Sequence, residues 1–199
     1  MIITVFTFTV LMYVFLVKYH DPVVRPLPLT GTYDSVNGGF GSAPKFPRPV
    51  ETQLMLYHSK KMRDSGKGAR ADDGSQMVYF TLQYMAKGGI HDHVGGGFHR
   101  YSVDEYWHVP HFEKMLYDQG QLVNVYLDAF AITRDLQYSN VARDVLDYLR
   151  RDMIGQEGEI FSAEDADSAE TEGAARFIFH NNSRRSKNLK QKKVTTFRG

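Results

Sequence analysis

The chain has 199 residues, of which 42% are hydrophobic and 24% are charged, as is typical of a globular protein with a sizeable core. Its formal net charge of +1 gives no indication of a polyelectrolyte partner for the chain as a whole. There is no cysteine, which excludes disulfides, thiolate zinc sites, cysteine nucleophiles and dithiol redox chemistry from this chain.

The N-terminal segment is unusually apolar. Residues 1–17 form an unbroken run of apolar or hydroxyl-bearing side chains that ends at Lys18. As a helix this run would be about 25 Å long, the lower limit for crossing a bilayer, and it lacks the positively charged start of a signal peptide. We expect residues 1–30 to be a hydrophobic segment outside the fold, the product of a mis-joined or truncated gene. The alternative is a membrane anchor at residues 1–17.

The C-terminal segment is basic. Residues 174–199 contain many lysines and arginines and no acidic side chain. This composition predicts a solvated, disordered tail. Nucleic-acid binding is the alternative interpretation, but the tail has no recognisable nucleic-acid-binding fold, so we expect no nucleic-acid partner.

Apolar residues three and four positions apart predict two helices in the first half of the chain. The first is predicted to start near Pro49, a favourable first-turn residue, and to stop at Asp64-Ser65-Gly66. The second is predicted to begin near Asp73, which has the spacing of a capping box with Gln76, and to end at Gly88-Gly89.

Two further helices are predicted after residue 110. The clearest apolar stripe runs from Phe112 to Phe130, and another runs from about Tyr138 to Met153. Long runs with a period of two, which would indicate strands, are few. The predicted class is therefore all-α.

A glycine–aromatic sequence recurs before each helix pair. Gly38-Gly39-Phe40 and Gly96-Gly97-Phe98 are 58 residues apart, and a looser third copy begins at Gly158. We match residues 43–46, which follow the first copy, to residues 109–112, which follow the second. A repeat of this length built from helix pairs indicates an α-solenoid or a closed toroid. Long polar loops that recur at one end of each pair favour two helical hairpins of a partial α/α toroid.

Three blocks of sequence resemble the spermatogenesis-associated protein 20 family. They are YDSVNGGFGSAPKFPRP at residues 33–49, MAKGGIHDHVGGGFHRYSVDEYWHVPHFEKMLYDQGQL at residues 85–122 and FSAEDADS at residues 161–168. The blocks are long, ordered and correctly spaced, and the resemblance covers about two thirds of the chain.

The resemblance implies a thioredoxin-like domain followed by a six-hairpin toroid related to glycosidases and sugar epimerases. On this basis residues 31–173 are predicted to be a partial (α/α)6 toroid. The hydrophobic start stands where the thioredoxin-like domain is expected, so any redox activity of the family would lie outside this chain. The resemblance implies no metal, and we expect no cofactor.

The segment between residues 88 and 118 concentrates the side chains that could carry chemistry. Acid–base chemistry at sugar carbons needs groups that titrate near neutrality or a pair of carboxylates, so the candidate catalytic residues are His93, His99, Asp104 and Glu113. Carbohydrate binding needs aromatic faces and planar donors or acceptors, so the candidate ligand-binding residues are Arg100, Tyr101, Trp107, His111, Asp118, Glu164 and Asp165.

Structural roles are the alternative for several of these residues. Glu113 has the position of a helix-start residue, and Asp165 could order the third loop. His93, Arg100 and Asp104 could form a hydrogen-bonded network that holds the loops. A metal site at His91, His93 and His99 is a further alternative, but no helical HExxH spacing occurs and we expect no metal.

The predicted function is that of a fragment of a carbohydrate-active or carbohydrate-binding α/α-toroid protein, with a sugar-like small molecule as its partner. The fragment alone is expected to be inactive because most of the cavity wall is missing. The alternative is a non-catalytic scaffold, or a redox-associated module of a thioredoxin-domain protein. Composition indicates no compartment, and a membrane partner is expected only if residues 1–17 are an anchor.

Overall fold

A computed structural model describes residues 31–66, 68–168 and 171–175 of the chain. The apolar segment at residues 1–30 and all but the first two residues of the predicted tail lie outside the described residues, and the predicted boundaries of both segments stay predictions. Within the described part, no helix is both long and apolar enough to cross a membrane.

The first hairpin consists of α1 (Pro49–Asp64) and α2 (Gly68–Lys87). Proline stands at the start of α1, and Gly66 ends the turn after it in the left-handed conformation, with φ of 80°. The bounds predicted for the first helix are therefore confirmed. The second helix begins at Gly68, which places Asp73 inside the helix. The capping box predicted there is wrong, because capping requires a residue that precedes the helix.

The second hairpin consists of α3 (Leu116–Thr133) and α4 (Leu136–Tyr148), and α4 continues into a π-helical turn, Leu149–Met153. The Asp135 carboxylate caps α4 by accepting a hydrogen bond of 2.9 Å from the Gln137 amide. This cap sets the start of α4 two residues before the predicted position.

Short antiparallel strand pairs form outside the helices: β1 (Tyr101–Ser102) with β2 (Pro110–His111), β3 (Lys114–Met115) with β4 (Ala163–Glu164), and β5 (Asp167–Ser168) with β6 (Thr171–Ala175). The predicted start of the third helix at Phe112 is corrected by β2 and β3. The backbone of residues 110–111 pairs with β1 of the same loop and that of residues 114–115 pairs with β4, so α3 begins only at Leu116.

The hydrophobic core lies where the two hairpins pack together, mainly between α1 and α3. Its members include Met55, Leu82, Leu122, Val125, Tyr126 and Val145, all at most 1% exposed. Each such side chain stabilises the fold by about 1.5 to 3 kcal/mol relative to exposure. The buried Tyr126 hydroxyl also donates to the Leu82 carbonyl, which ties α3 to α2.

Three loops lie side by side at one end of the hairpins: residues 31–48, residues 88–115 and residues 154–166. Lys45 and Ser102 exchange two backbone hydrogen bonds of 2.7 and 2.9 Å, which join the first loop to the second. The pairing of Lys114 with Glu164 joins the second loop to the third. The loops therefore gather at a single rim, as the repeat predicts.

Candidate functional site

An aspartate organises each of the first two glycine turns. The Asp92 side chain accepts hydrogen bonds from the amides of Val94 and Gly95, and its backbone carbonyl accepts one from Gly96. Asp34 makes the equivalent bonds in the first turn, with the amides of residues 36–38. The structural repeat therefore begins at these aspartates, four residues before the first glycine that the sequence analysis used.

Each aspartate binds a buried lysine. Lys45 lies 2.6 Å from Asp34, and Lys114 lies 2.7 Å from Asp92. Burial alone would raise the pKa of Asp92, but the Lys114 ammonium and the turn amides lower it to about 2. Lys45 is thus the counterpart of Lys114, and matching residues 43–46 to residues 109–112 is wrong because the two loops differ in length.

The backbone of each residue from Gly97 to His99 is held by a hydrogen bond. The Gly97 amide donates to the Asp144 carboxylate at 3.0 Å. The Gln119 side chain bonds to both the amide and the carbonyl of Phe98, at 2.8 and 2.6 Å, and the His99 amide donates to Ile90. Gln119 was missed by sequence reasoning, because a buried glutamine on an amphipathic helix has no pattern of its own.

His99 is almost completely buried, with 4% of its surface exposed, and its ring meets Phe112 edge-on at 5.2 Å. Its Nδ1 atom is buried and has no hydrogen-bond partner among the described residues. Burial is the main cause that lowers the pKa of His99 to about 4, and the nearby Lys114 ammonium lowers it further. His99 is therefore neutral at pH 7 and has an unused polar atom.

Three rings form a stack beside His99. Tyr101 stacks on His111 at 4.8 Å with an interplanar angle of 16°, because these two residues are paired across β1 and β2. Phe46, from the first loop, packs against Tyr101 at 4.9 Å with an interplanar angle of 35°. The Nδ1 atom of His111 is also buried without a partner in the described structure.

Several charged side chains lie close together at the start of α3. The Arg100 guanidinium is 3.7 Å from the Glu113 carboxylate and 5.8 Å from the centre of the Tyr117 ring. Asp118 is in the first turn of α3. Burial raises the pKa of Asp118 to about 6, with Glu113 adding to this rise and Arg100 opposing it. Asp118 is therefore expected to change its protonation state near pH 6.

Asp104 and Trp107 have structural surroundings. The Asp104 carboxylate accepts hydrogen bonds from the backbone amides of residues 106, 108 and 109 and from the Ser102 hydroxyl. Trp107 is fully buried, and its indole donates to the Asn37 carbonyl at 2.9 Å. The polar groups of Asp104 and Trp107 are thus satisfied within the loops, which favours a structural role for both residues.

The other candidates are dispersed around the rim. His93 is exposed and bonds to the Gly88 carbonyl at 3.1 Å. Glu164 accepts a hydrogen bond of 2.9 Å from the Tyr148 hydroxyl, and Asp165 next to it is exposed. Among the described residues, no group of three or more potential ligands could hold a metal ion.

The residues that do come together offer several chemical functions. His99 and His111 each have a ring nitrogen without a hydrogen-bond partner in the described part of the chain. Asp118 can donate a proton when it is protonated, and the planar Arg100 guanidinium can donate several hydrogen bonds. Environments that move two pKa values in opposite directions are typical of acid–base pairs. The arrangement is therefore suited to binding a polar, uncharged ligand and to exchanging a proton with it.

Solved structures with a similar fold are sugar epimerases. A cellobiose 2-epimerase from Bacillus thermoamylovorans superposes with a TM-score of 0.54 at 17% identity, covering 69% of this chain and 37% of the epimerase. A sugar epimerase from a ruminal bacterium gives a TM-score of 0.55 at 14% identity, covering 74% of this chain and 40% of that protein. These proteins are α/α toroids, and the predicted partial toroid is confirmed.

No family model matches the chain. Spermatogenesis-associated protein 20 from Rattus norvegicus and from Homo sapiens are each 50% identical to it over 141 residues. An uncharacterised protein from Caenorhabditis elegans is 44% identical over 139 residues. The matches cover about seven tenths of the chain but only 18% of each relative. Over this stretch the predicted membership of the spermatogenesis-associated protein 20 family is confirmed.

Proposed function

We propose that this chain contributes part of a carbohydrate-binding rim to an α/α-toroid protein. The observation that carries the proposal is the pair of buried Nδ1 atoms on His99 and His111, neither of which has a hydrogen-bond partner among the described residues. An unsatisfied buried polar atom costs about 1 to 3 kcal/mol, which a ligand hydroxyl would recover. The likeness of the fold to sugar epimerases supports a sugar as that ligand.

The neighbouring side chains suit a sugar in both shape and polarity. The stack of Phe46, Tyr101 and His111 provides aromatic surface, and Phe46 at its end is 39% exposed. Arg100 is held only loosely by Glu113, at 3.7 Å, and can reorient towards hydroxyl groups. In this proposal His99 and Asp118 are the acid–base candidates, and Arg100 and Tyr101 orient the ligand.

We propose further that the chain is inactive by itself. It covers 37% to 40% of the sugar epimerases that share its fold, so a comparable cavity would have most of its wall outside this chain. Binding energy from remote contacts is what positions a substrate for reaction. A rim without those contacts is expected to bind sugars weakly and not to turn them over.

The test is thermal denaturation of the full-length protein with a panel of mono- and disaccharides. A sugar present at about 100 times its dissociation constant stabilises the native state by about 2.7 kcal/mol and raises the melting temperature by several degrees. The substitution Arg100→Gln should abolish that rise. The matched substitution Arg143→Gln, at an exposed position on α4, should preserve it.

A non-catalytic scaffold is the second candidate function. It is favoured by Asp104 and Trp107, whose polar groups are satisfied within the loops themselves. Thermal denaturation separates the two functions. A melting temperature that no sugar changes, in a protein that otherwise unfolds cooperatively, supports the scaffold and removes the carbohydrate proposal.

A further inference from the structure

The segment around Lys45 forms a small three-stranded ribbon with β1 and β2. Lys45 pairs with Ser102 in an antiparallel bridge, and the two residues exchange backbone hydrogen bonds of 2.7 and 2.9 Å. Ser102 is in turn paired with Pro110 across β1 and β2. A hydrogen bond of 2.9 Å from the Val103 amide to the Val109 carbonyl extends this second pairing beyond the two strands. Successive side chains of the ribbon therefore lie on alternate faces.

Two rows of side chains lie on the same face of this ribbon. The first row is the set of three stacked rings described above. The second row is two residues away on each strand, and the pairings place Pro44, Val103 and Val109 there. All three are exposed, Val103 at 48% and Val109 at 53%. The two rows together are called the apolar strip, and its members are Pro44, Phe46, Tyr101, Val103, Val109 and His111.

The two faces of the ribbon have the reverse of the usual polarity. An antiparallel ribbon with one solvated face usually has apolar residues on the buried face and polar residues on the outer face. Here the buried face carries Lys45 and Ser102, both 0% exposed, and the outer face carries the apolar strip. The Lys45 ammonium is satisfied by Asp34 at 2.6 Å and by the Glu105 carbonyl at 3.0 Å. Contacts among the described residues account for the buried polar face but not for the apolar outer face.

The size and place of the apolar strip suit a small molecule. Three strands about 4.8 Å apart and two rows about 6.6 Å apart give an area on the order of 200 Å². A stable protein interface needs about 800 Å² from each partner, so the strip is too small for one. The first row is also the aromatic surface to which the proposed function assigns a sugar. A ligand bound there reaches the second row with any substituent that extends about 7 Å along the ribbon.

We propose that the second row of the apolar strip binds the hydrocarbon substituent of an amphiphilic glycoside, whose sugar lies on the first row. This rests on the proposed function, which supplies the sugar. The side chains of Pro44, Val103 and Val109 have no hydrogen-bonding atoms. Covering them with a second sugar unit would leave hydroxyl groups unpaired, whereas a hydrocarbon group loses nothing there. The second row thereby selects among glycosides by the substituent that the sugar carries.

The test compares the affinities of methyl, butyl and hexyl glucoside for the full-length protein by isothermal titration calorimetry, below the concentrations at which they form micelles. Hexyl glucoside should bind at least about tenfold more tightly than methyl glucoside, because each fully buried methylene group improves binding by about fourfold. In Val103→Ser with Val109→Ser this advantage should fall below about threefold, with the affinity for methyl glucoside unchanged. The matched variant Val36→Ser with Val94→Ser, at valines 70% and 80% exposed in the two glycine turns, should retain it.

The outcomes separate this proposal from the proposed function. Equal affinities for the three glucosides overturn the role of the apolar strip but leave the carbohydrate proposal in place. An advantage of hexyl glucoside that persists in Val103→Ser with Val109→Ser also overturns it, because the hydrocarbon would then bind elsewhere. Absence of binding by all three glucosides overturns it as well, and the sugar panel described above then decides the carbohydrate proposal separately. Threonine at both positions keeps the branched side chain and repeats the test if the serine variant fails to fold.

Discussion

Burial raises the pKa of Asp118 and lowers the pKa of His99, and the two shifts have opposite effects on how stability depends on pH. The pKa of Asp118 is raised to about 6, so the folded state binds its proton more tightly than the unfolded state does. This contribution is fully present below about pH 4 and is lost as the pH rises through about 6. The pKa of His99 is lowered to about 4, so its contribution is present above about pH 6.5 and is lost as the pH falls.

The substitution Asp118→Asn should therefore stabilise the protein at pH 7 and have no effect at pH 4. At pH 7 the change removes a partly buried carboxylate beside Glu113, for a gain of about 1 kcal/mol after allowance for solvent screening. Urea denaturation at the two pH values measures the difference. Asp147→Asn, at an exposed position on α4, is the control. Equal effects of Asp118→Asn at pH 4 and pH 7 would contradict the expectation.

At the scale of single elements, the glycine turns depend on close packing as well as on backbone conformation. Gly97 has φ of 75°, and a Cβ atom there would lie 2.6 Å from Tyr148 and 2.9 Å from Gln119. For Gly120, in α3, the described residues place no atom within 4 Å of such a Cβ apart from the adjoining backbone of the helix itself. The two glycines therefore differ in the space around them, and this difference cannot be predicted from the residue type.

Alanine substitutions at these two glycines should have effects of opposite sign. Gly97→Ala should destabilise the protein by about 2 to 4 kcal/mol, through overpacking and the left-handed backbone. Gly120→Ala should stabilise it by about 0.5 to 1 kcal/mol, because alanine is the better helix former. Chemical denaturation of both variants measures the two effects. A loss of stability in Gly120→Ala comparable with that in Gly97→Ala would show that the packing around Gly97 is not the cause.

The ends of α1 and α3 show which helix boundaries can be predicted from residues nearby in the sequence. The bounds of α1 follow from Pro49 and Gly66, which act on the backbone where they stand. The start of α3 depends on the pairing of Lys114 with Glu164, fifty residues further along the chain. No local sequence pattern indicates that pairing. The apolar stripe therefore predicts a helix that already starts at Phe112, four residues too early.

At the scale of the whole molecule, the two hairpins leave apolar side chains exposed on their outer faces. Tyr57 on α1, Leu127 on α3 and Leu146 on α4 are each more than 40% exposed. The chain covers 37% to 40% of the solved toroids, in which further hairpins complete the ring. These faces are therefore expected to be covered by other parts of a complete toroid.

A protein limited to residues 31–175 should consequently self-associate. Size-exclusion chromatography with light scattering should show oligomers at micromolar concentration. The double substitution Leu127→Glu with Leu146→Glu should shift the material towards monomer, and Arg143→Gln should not. Monodisperse wild-type material that melts cooperatively would show that the two hairpins are sufficient by themselves.

Part of the candidate site could also be predicted from the sequence. The chemistry of the side chains predicts six residues that the structure brings together: His99, Arg100, Tyr101, His111, Glu113 and Asp118. The same grounds predict Asp104 and Trp107, but the polar groups of these two residues are bonded within the loops. Both sets of residues have side chains suited to carbohydrate chemistry. Only the contacts that each side chain makes in the structure distinguish the two sets.

The helical hairpins, the repeat and the rim could be predicted from the sequence, because periodicity, proline and glycine act over a few residues. Which polar side chains are buried, and what they bind, follows only from the packing of the folded chain. Lys114 and Gln119 have little local pattern, yet their contacts with Asp92 and Phe98 hold His99 in place. Burial and partnership depend on residues distant in the chain, so the chemistry of the site is set only once the loops pack together.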